Sequence, residues 1–345
     1  MFSVRAEPAR GAFLPPALVR LSGLDLLRTY LDGGYDWAPV AHLTGMHPTR
    51  VDAGTARCVM PLSDWLRSSH GRVSEGALLI PADSALGSAV HTTLPAATLY
   101  TTAELSLSWI RPVEPGGLVV ADARAVYTSD TLGLSQVTLT DDEGELIGVG
   151  ASRCTVFPPV PEGVSPPPGP EPLRPPPSEP ATGPADPYLR AVEGEVLEDR
   201  VWRASGGRDV LEGQRRGSLP QPPLHHLFGL APVEIGDGRA VFSLPCTRWV
   251  SSPVGFVQGG VIALLGHTAL LGAVEATVPP GGGCAPLDLK VNLLRPVAPD
   301  GRDLVASTQV VHQGHTYAIA TGEVQNADGK RVALLTGSAA YRPSP

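Results

Sequence analysis

Apolar and polar positions run through the same series of elements twice along this chain. Each copy opens with a short helical stretch, Asp25 to Tyr30 and Asp209 to Gln214, followed by a turn and a first strand. A long apolar helix comes next. In the second copy it starts after Gly259-Gly260 and runs Val261-Ile262-Ala263-Leu264-Leu265-Gly266-His267-Thr268-Ala269-Leu270-Leu271, apolar nearly all round, which predicts burial on most faces. Ala77 to Val90 takes its place in the first copy. Alternating or β-branched runs follow, and Ala103 to Ile110, Leu118 to Val126 and Leu134 to Thr140 each predict a strand. Asp141-Asp142-Glu143-Gly144 turns the chain into Glu145 to Val149, a hairpin signal that Asn326-Ala327-Asp328-Gly329 repeats. One buried helix followed by a meander of long strands predicts an α+β unit in which an antiparallel sheet wraps a central helix.

The two copies keep a constant register. Pro61-Leu62-Ser63-Asp64-Trp65 answers Pro245-Cys246-Thr247-Arg248-Trp249, and Arg111-Pro112-Val113 answers Arg295-Pro296-Val297, both at an offset of 184 (245−61, 295−111). No gap is needed from Asp25/Asp209 to Gly117/Gly301, where roughly 30% of positions are identical, far above chance at fixed register. A length of 345 residues accommodates two domains, each with its own core. Between Pro158 and Pro187, 14 of 30 residues are proline, which favours an extended polyproline segment without internal hydrogen bonds. At ~3.1 Å per residue such a linker spans up to ~90 Å, enough to carry the chain around one domain to the start of the other. The expected organisation is therefore a domain over 1–157, a linker over 158–187 and a second domain over 188–345.

A net charge of −8, no basic run and scattered tryptophans exclude a phosphate-tracking surface, so nucleic acid is not an expected partner. No stretch approaches the ~18 apolar residues of a membrane span, and Met1-Phe2-Ser3-Val4-Arg5 lacks the apolar block of a signal peptide. A cytoplasmic location without membrane association is expected. Cys58, Cys154, Cys246 and Cys284 show no CxxC spacing, and in the repeat register Cys246 faces Leu62 and Cys284 faces Tyr100, so reduced, mostly buried thiols are expected. His225-His226 cannot both reach one metal from regular structure, and Gly281-Gly282-Gly283 is followed by neither a lysine nor a helix start. Neither a metal nor a redox cofactor is indicated.

Chemistry concentrates at the start of the long helix. Ser252-Pro253-Val254-Gly255-Phe256-Val257-Gln258-Gly259-Gly260-Val261, with Leu287-Asp288-Leu289-Lys290-Val291-Asn292-Leu293-Leu294-Arg295-Pro296 downstream, resembles the hotdog-fold acyl-CoA thioesterases of the phenylacetyl-CoA (PaaI-like) type. The resemblance covers nearly all of the second copy and, more weakly, the first, and implies a tandem double hotdog with its two sheets joined edge to edge. It also implies hydrolysis of an acyl-CoA or acyl-carrier-protein thioester, and further pairing of whole chains into a homodimer. Members of that family usually read His-Gly-Gly at the helix start, Asp or Glu about nine residues on, and Ser or Thr at the start of the next strand. Both halves of this chain depart from that pattern.

Thioester hydrolysis needs N–H donors aimed at the developing oxyanion and a carboxylate that attacks or activates water. Glycine amides at a helix N-terminus supply the donors. A carboxylate nine residues along the same helix lies ~13 Å away, so the loop of one copy must meet the helix of the other. Read across a pseudo-two-fold, the first site combines Asp83 and Thr102 with Gln258, Gly259, Gly260 and Ser252. In it Gly259, with Gly260, polarises the carbonyl, Asp83 serves as base or nucleophile, Thr102 positions water, Gln258 orients the acyl end and Ser252 helps hold substrate. The second site sets His267, where relatives have Asp (267−83 = 184), against Ser74, Glu75 and Gly76, where they have His-Gly-Gly. Both losses fall in this one site, which predicts a single working site per chain. Two alternatives accompany that reading: acyl-CoA binding without turnover, favoured by Gln258 in place of histidine, and a hotdog hydratase or dehydratase using His267 and Glu75. Ala82, Ala85 and Gly87 leave room beside the helix for an acyl chain, and Lys290, Arg295 and Arg111 are candidate phosphate partners.

Overall fold

The computed structural model describes residues 2–161 and 185–342. Most of the expected linker lies outside these residues. The first half contributes β1 (His47–Asp52), β2 (Thr55–Pro61), β3 (Tyr100–Trp109), β4 (Leu118–Thr128), β5 (Leu132–Asp141) and β6 (Leu146–Val156). The second half contributes β7 (Ala231–Gly236), β8 (Arg239–Pro245), β9 (Gly283–Leu293), β10 (Asp303–Gln313), β11 (Tyr317–Gln325) and β12 (Arg331–Arg342). All twelve form one sheet in the order β1-β2-β4-β5-β6-β3-β9-β12-β11-β10-β8-β7, which reads as a palindrome of the two halves. The halves join where β3 pairs antiparallel with β9, and the register is symmetric about Ser106 opposite Lys290, residues that are themselves 184 apart. A pseudo-two-fold axis passes through that pair.

Two central helices, Leu79–His91 and Gly259–Glu275, pack against the strands of this sheet and against each other. The second is longer than the expected Val261–Leu271 and begins at Gly259 itself; a 3-10 turn over Glu75–Leu78 precedes the first. Every residue from Val261 to Leu265 is buried, as is Leu78 to Ala82, so each helix is packed by the sheet behind it and the other helix beside it. The short helices Gly23–Leu31 and Gly207–Arg216 cover the expected Asp25–Tyr30 and Asp209–Gln214. Trp65 and Trp249, both essentially fully buried, flank Phe2 edge-on at 6.5 and 5.7 Å, which ties the N-terminus to both halves. After residue 185 the chain first crosses the N-terminal half, with Arg190 O accepting from Trp65 Nε1 and the Leu197 N–H donating to Ser69 O. Among the described residues no helix is long and apolar enough to cross a membrane.

One turn aims the helix starts. The bridges Arg67↔Val73 and Ser251↔Val257 each close a tight loop whose glycine, Gly71 or Gly255, has φ +85°, a conformation that disfavours any side chain. The equivalence of these loops puts Ser74-Glu75-Gly76 and Gln258-Gly259-Gly260 at the same place in the two halves.

Candidate active site

Gln258 caps the second central helix in extended backbone geometry, and the chain enters the helix at Gly259. Here the start of the second helix meets the first. A β-carbon on Gly260 would stand 2.5 Å from Leu79 O and 2.7 Å from Ile80 Cα, and one on Gly259 would stand 3.0 Å from Asp83 Oδ2. The absent side chains are therefore what lets the helix start of one half reach the helix of the other. The Gly260 N–H donates to Asp83 Oδ2 at 2.9 Å, a bond between residues 177 apart in sequence. The Gly259 N–H donates to no backbone or side-chain acceptor among the described residues.

Asp83 sits early in the first central helix and is 8% exposed. Burial pushes its carboxyl above the ordinary carboxylate value, while the Gly260 N–H and the Thr102 hydroxyl, which donates to Oδ1 at 3.1 Å, pull it back. The positive end of a 17-residue helix adds to that pull. Both carboxyl oxygens are thus occupied by donors on separate elements, a geometry that holds the carboxylate in one orientation. Thr102, at the start of β3, spends its proton on Asp83 and so orients the acid rather than donating to water.

Gln258 is 4% exposed, and its Nε2 donates to Ile80 O at 3.0 Å and to Ser84 Oγ at 2.7 Å. A carbonyl can only accept, so the Ile80 contact fixes which end of the amide is nitrogen. The other end, Oε1, is buried without a partner among the described residues. Ser252 lies apart from this cluster: its N–H and hydroxyl both donate to Phe256 O, at 2.8 and 3.0 Å, and close the loop ahead of the helix. Ser84 was not legible as a member of the cluster, although its place beside Asp83 on a buried helix was a signal.

The space expected beside Gly87 is filled. A β-carbon there would stand 2.7 Å from Tyr100 Oη, so the phenol lies on the helix one turn beyond Asp83, with His91 5.1 Å away on its other side. Burial raises the Tyr100 hydroxyl well above its ordinary value, and the nearby Cys154 and Asp83 reinforce this.

At the pseudo-equivalent place in the other half, His267 is 1% exposed and neither ring nitrogen has a partner among the described residues. Burial holds it down to about 4, so it is neutral near pH 7. Its ring packs edge-on to Trp109 at 4.9 Å, and its Nδ1 is 2.7 Å from where a β-carbon on Gly76 would stand. The structure thus repeats the Gly260–Asp83 approach as Gly76–His267, without a carboxylate on the helix. Glu75 and the buried Ser74 line the same cavity as His267; burial raises the Glu75 carboxyl, and its own backbone N–H opposes that.

Of the candidate phosphate partners, Arg111 is taken up by Asp141, and Lys290 lies 3.6 Å from Glu104. His42 is held between Asp36 and Asp186, and His225 bonds Gln221 and packs on Phe242, so neither is a catalytic candidate. Cys58, Cys154 and Cys246 are buried free thiols and Cys284 is a half-buried one.

Two wrapped helices under one continuous twelve-stranded sheet, with a glycine turn of one half against a buried acid of the other, define a double-hotdog protein of the α+β class. The thioesterase superfamily model matches residues 70–147 and again 254–333, two stretches that start 184 residues apart, one in each repeat. No curated protein sequence matches the chain. Solved structures do. A tesB protein of Mycobacterium avium subsp. paratuberculosis aligns with TM-score 0.53 and 14% identity, over 88% of this chain and 98% of that one. An acyl-CoA thioesterase II of Mycobacterium marinum aligns with TM-score 0.51 and 12% identity, over 88% and 99%. A hot dog fold protein of unknown function from Alicyclobacillus acidocaldarius aligns with TM-score 0.52 and 15% identity, over 88% and 98%.

Proposed function

We propose that this protein hydrolyses acyl thioesters, on coenzyme A or a carrier protein, at one composite site per chain built from Asp83 and Thr102 of the first half and Gln258, Gly259 and Gly260 of the second. The observation that carries this reading is the hydrogen bond from the Gly260 N–H to Asp83, which brings a helix N-terminus and a buried acid from different halves to one point. The thioester carbonyl accepts the Gly259 N–H, where negative charge develops on its oxygen. Asp83 as carboxylate takes a proton from water as that water adds to the carbonyl carbon, or adds to it directly. Collapse of the tetrahedral intermediate breaks the carbon–sulfur bond. On the first route the thiolate leaves with the proton that Asp83 took from water. On the second, water then cleaves the acyl–Asp83 anhydride, freeing the acid and the carboxylate and supplying the thiolate's proton. Gln258 Oε1 is an unspent acceptor that suits the attacking water or an acyl substituent. The match of the thioesterase superfamily model to both repeats, and the fold shared with the acyl-CoA thioesterase II of Mycobacterium marinum, support the same chemistry.

The test is free-thiol release from a panel of acyl-CoAs. Turnover of at least one acyl class is expected; tight binding of acyl-CoA with no thiol released would instead make the protein an acyl-CoA binder.

Two finer outcomes follow from the geometry. Asp83 works ionised, so kcat/KM falls as pH drops through its raised pKa. Thr102→Val removes a donor that stabilises the carboxylate, so the acid limb of the kcat/KM profile is expected to move to higher pH. An unmoved limb would mean that this hydroxyl does not tune the acid. Tyr100→Ala uncovers Gly87 and lengthens the space along the helix beyond Asp83. The ratio of kcat/KM for long over short acyl-CoAs is expected to rise by about tenfold or more, the scale of one or two methylenes in an apolar pocket. An unchanged ratio would place the acyl chain elsewhere.

A further inference from the structure

A cavity of about 330 Å³ opens along the second central helix at the pseudo-two-fold mate of the Asp83 site. His267, Phe242 and Leu224 form its buried end, and His70, Trp202 and Arg342 its solvent end. The repeat register explains why this half has room. Position 284, which corresponds to Tyr100 (284−100 = 184), is Cys284, and both Cys284 and Leu271, the counterpart of Gly87, line the space. A half-buried thiol thus stands where the other half lays a phenol across its helix.

The lining is amphiphilic and in part unsatisfied. His267 reaches the buried end with one donor and one acceptor, both unpaired in a position from which water is nearly excluded, a situation that a bound hydrogen-bonding group would relieve. Phe242, Leu224 and Leu271 supply an apolar wall. The mouth is built rather than loose: the His70 ring stacks on Trp202 at 3.9 Å and 20°, and its Nε2 bonds Glu275 Oε1 at 2.7 Å. Glu75, Glu275 and Asp199 disfavour an anionic head, while His70, Arg72 and Arg342 disfavour a cationic one. An uncharged polar head on an apolar body fits this set.

We propose that this cavity is a second acyl-thioester binding site that holds its ligand without hydrolysing it, the thioester carbonyl on His267 and the acyl chain along Phe242 and Leu224. The ligand class rests on the hydrolytic reading above; the absence of turnover rests on the central helix, which presents an imidazole here where the other half presents a carboxylate.

The experiment is calorimetric titration of the full chain with an acyl-CoA analogue in which a methylene replaces the thioester sulfur, so that the carbonyl is kept and no thiol can leave. Two equivalents per chain are expected. Thr268→Trp, which fills the cavity from the helix, is expected to leave one, and His267→Leu to weaken the second equivalent at least tenfold, so the result does not hang on one variant. A wild-type chain that releases thiol from acyl-CoA yet takes up a single equivalent overturns the second site alone. Residual thiol release in Asp83→Asn that Thr268→Trp abolishes also overturns it, because the site would then be hydrolytic. A chain that binds no analogue and releases no thiol removes the hydrolytic reading together with this one.

Discussion

Asp83→Asn is expected to lower kcat/KM for thiol release by at least about 10²- to 10³-fold, while His267→Ala stays within about threefold of wild type. The size follows from what the acid does. A positioned base contributes roughly 10²–10⁴-fold, and its loss is not made up by the remaining N–H donor, which acts on the carbonyl rather than on water. The amide keeps the shape and can still accept from Gly260 while donating to Thr102, so the fold should survive. Stability gives an independent check. Burial raises the carboxyl's pKa in the folded protein above its unfolded value. The folded state therefore holds the proton more tightly, and above the unfolded pKa the ionised side chain costs stability. Replacing it with a neutral amide removes that cost, so the melting temperature near pH 7 is expected to be equal to or above that of wild type. Loss of hydrolysis in His267→Ala with retention in Asp83→Asn would exchange the roles of the two halves.

Gly260→Ala is expected to destabilise the protein by about 3 kcal/mol or more, because the new methyl meets backbone, Leu79 O at 2.5 Å and Ile80 Cα at 2.7 Å, rather than a side chain that can swing away. Relief requires the two central helices to separate where Gly260 meets Leu79 and Ile80, which also pulls the Gly260 N–H from Asp83. The comparison variant is Gly236→Ala at the end of β7, whose nearest neighbour would be 3.5 Å away and whose cost should stay below about 1 kcal/mol. Urea midpoints of the two variants measure the difference. Equal midpoints would mean that the helix starts are not in contact.

The repeat made most of the architecture legible, because a 184-residue offset that survives without gaps has to survive in three dimensions as well. It reappears in the Arg67↔Val73 and Ser251↔Val257 bridges and in the Ser106–Lys290 pair on the pseudo-axis. Helix lengths were less legible: glycines at 259 and 260 read as a turn before the helix, yet both are helical, since extended backbone at Gln258 already provides the entry. Within the candidate site, chemistry could nominate which residues to bring together, but not their hydrogen bonds. That the Thr102 proton goes to Asp83, that Gly260 rather than Gly259 meets the acid, and that Ser252 turns back on Phe256 depend on distances of tenths of an ångström between distant segments. Tyr100 covering Gly87 was hidden for the same reason: a small residue on a helix signals close approach, and only the fold says of what.

The most direct measurement is a crystal structure of the Asp83→Asn chain holding an intact acyl-CoA that it turns over in the wild-type form. The expected result has the thioester carbonyl oxygen within about 3.2 Å of the Gly259 nitrogen, with the side chain of residue 83 facing the same carbonyl carbon across the space of one water. A thioester seated with its carbonyl away from Gly259, or bound in the His267 cavity alone, would contradict a hydrolytic site shared between the two halves.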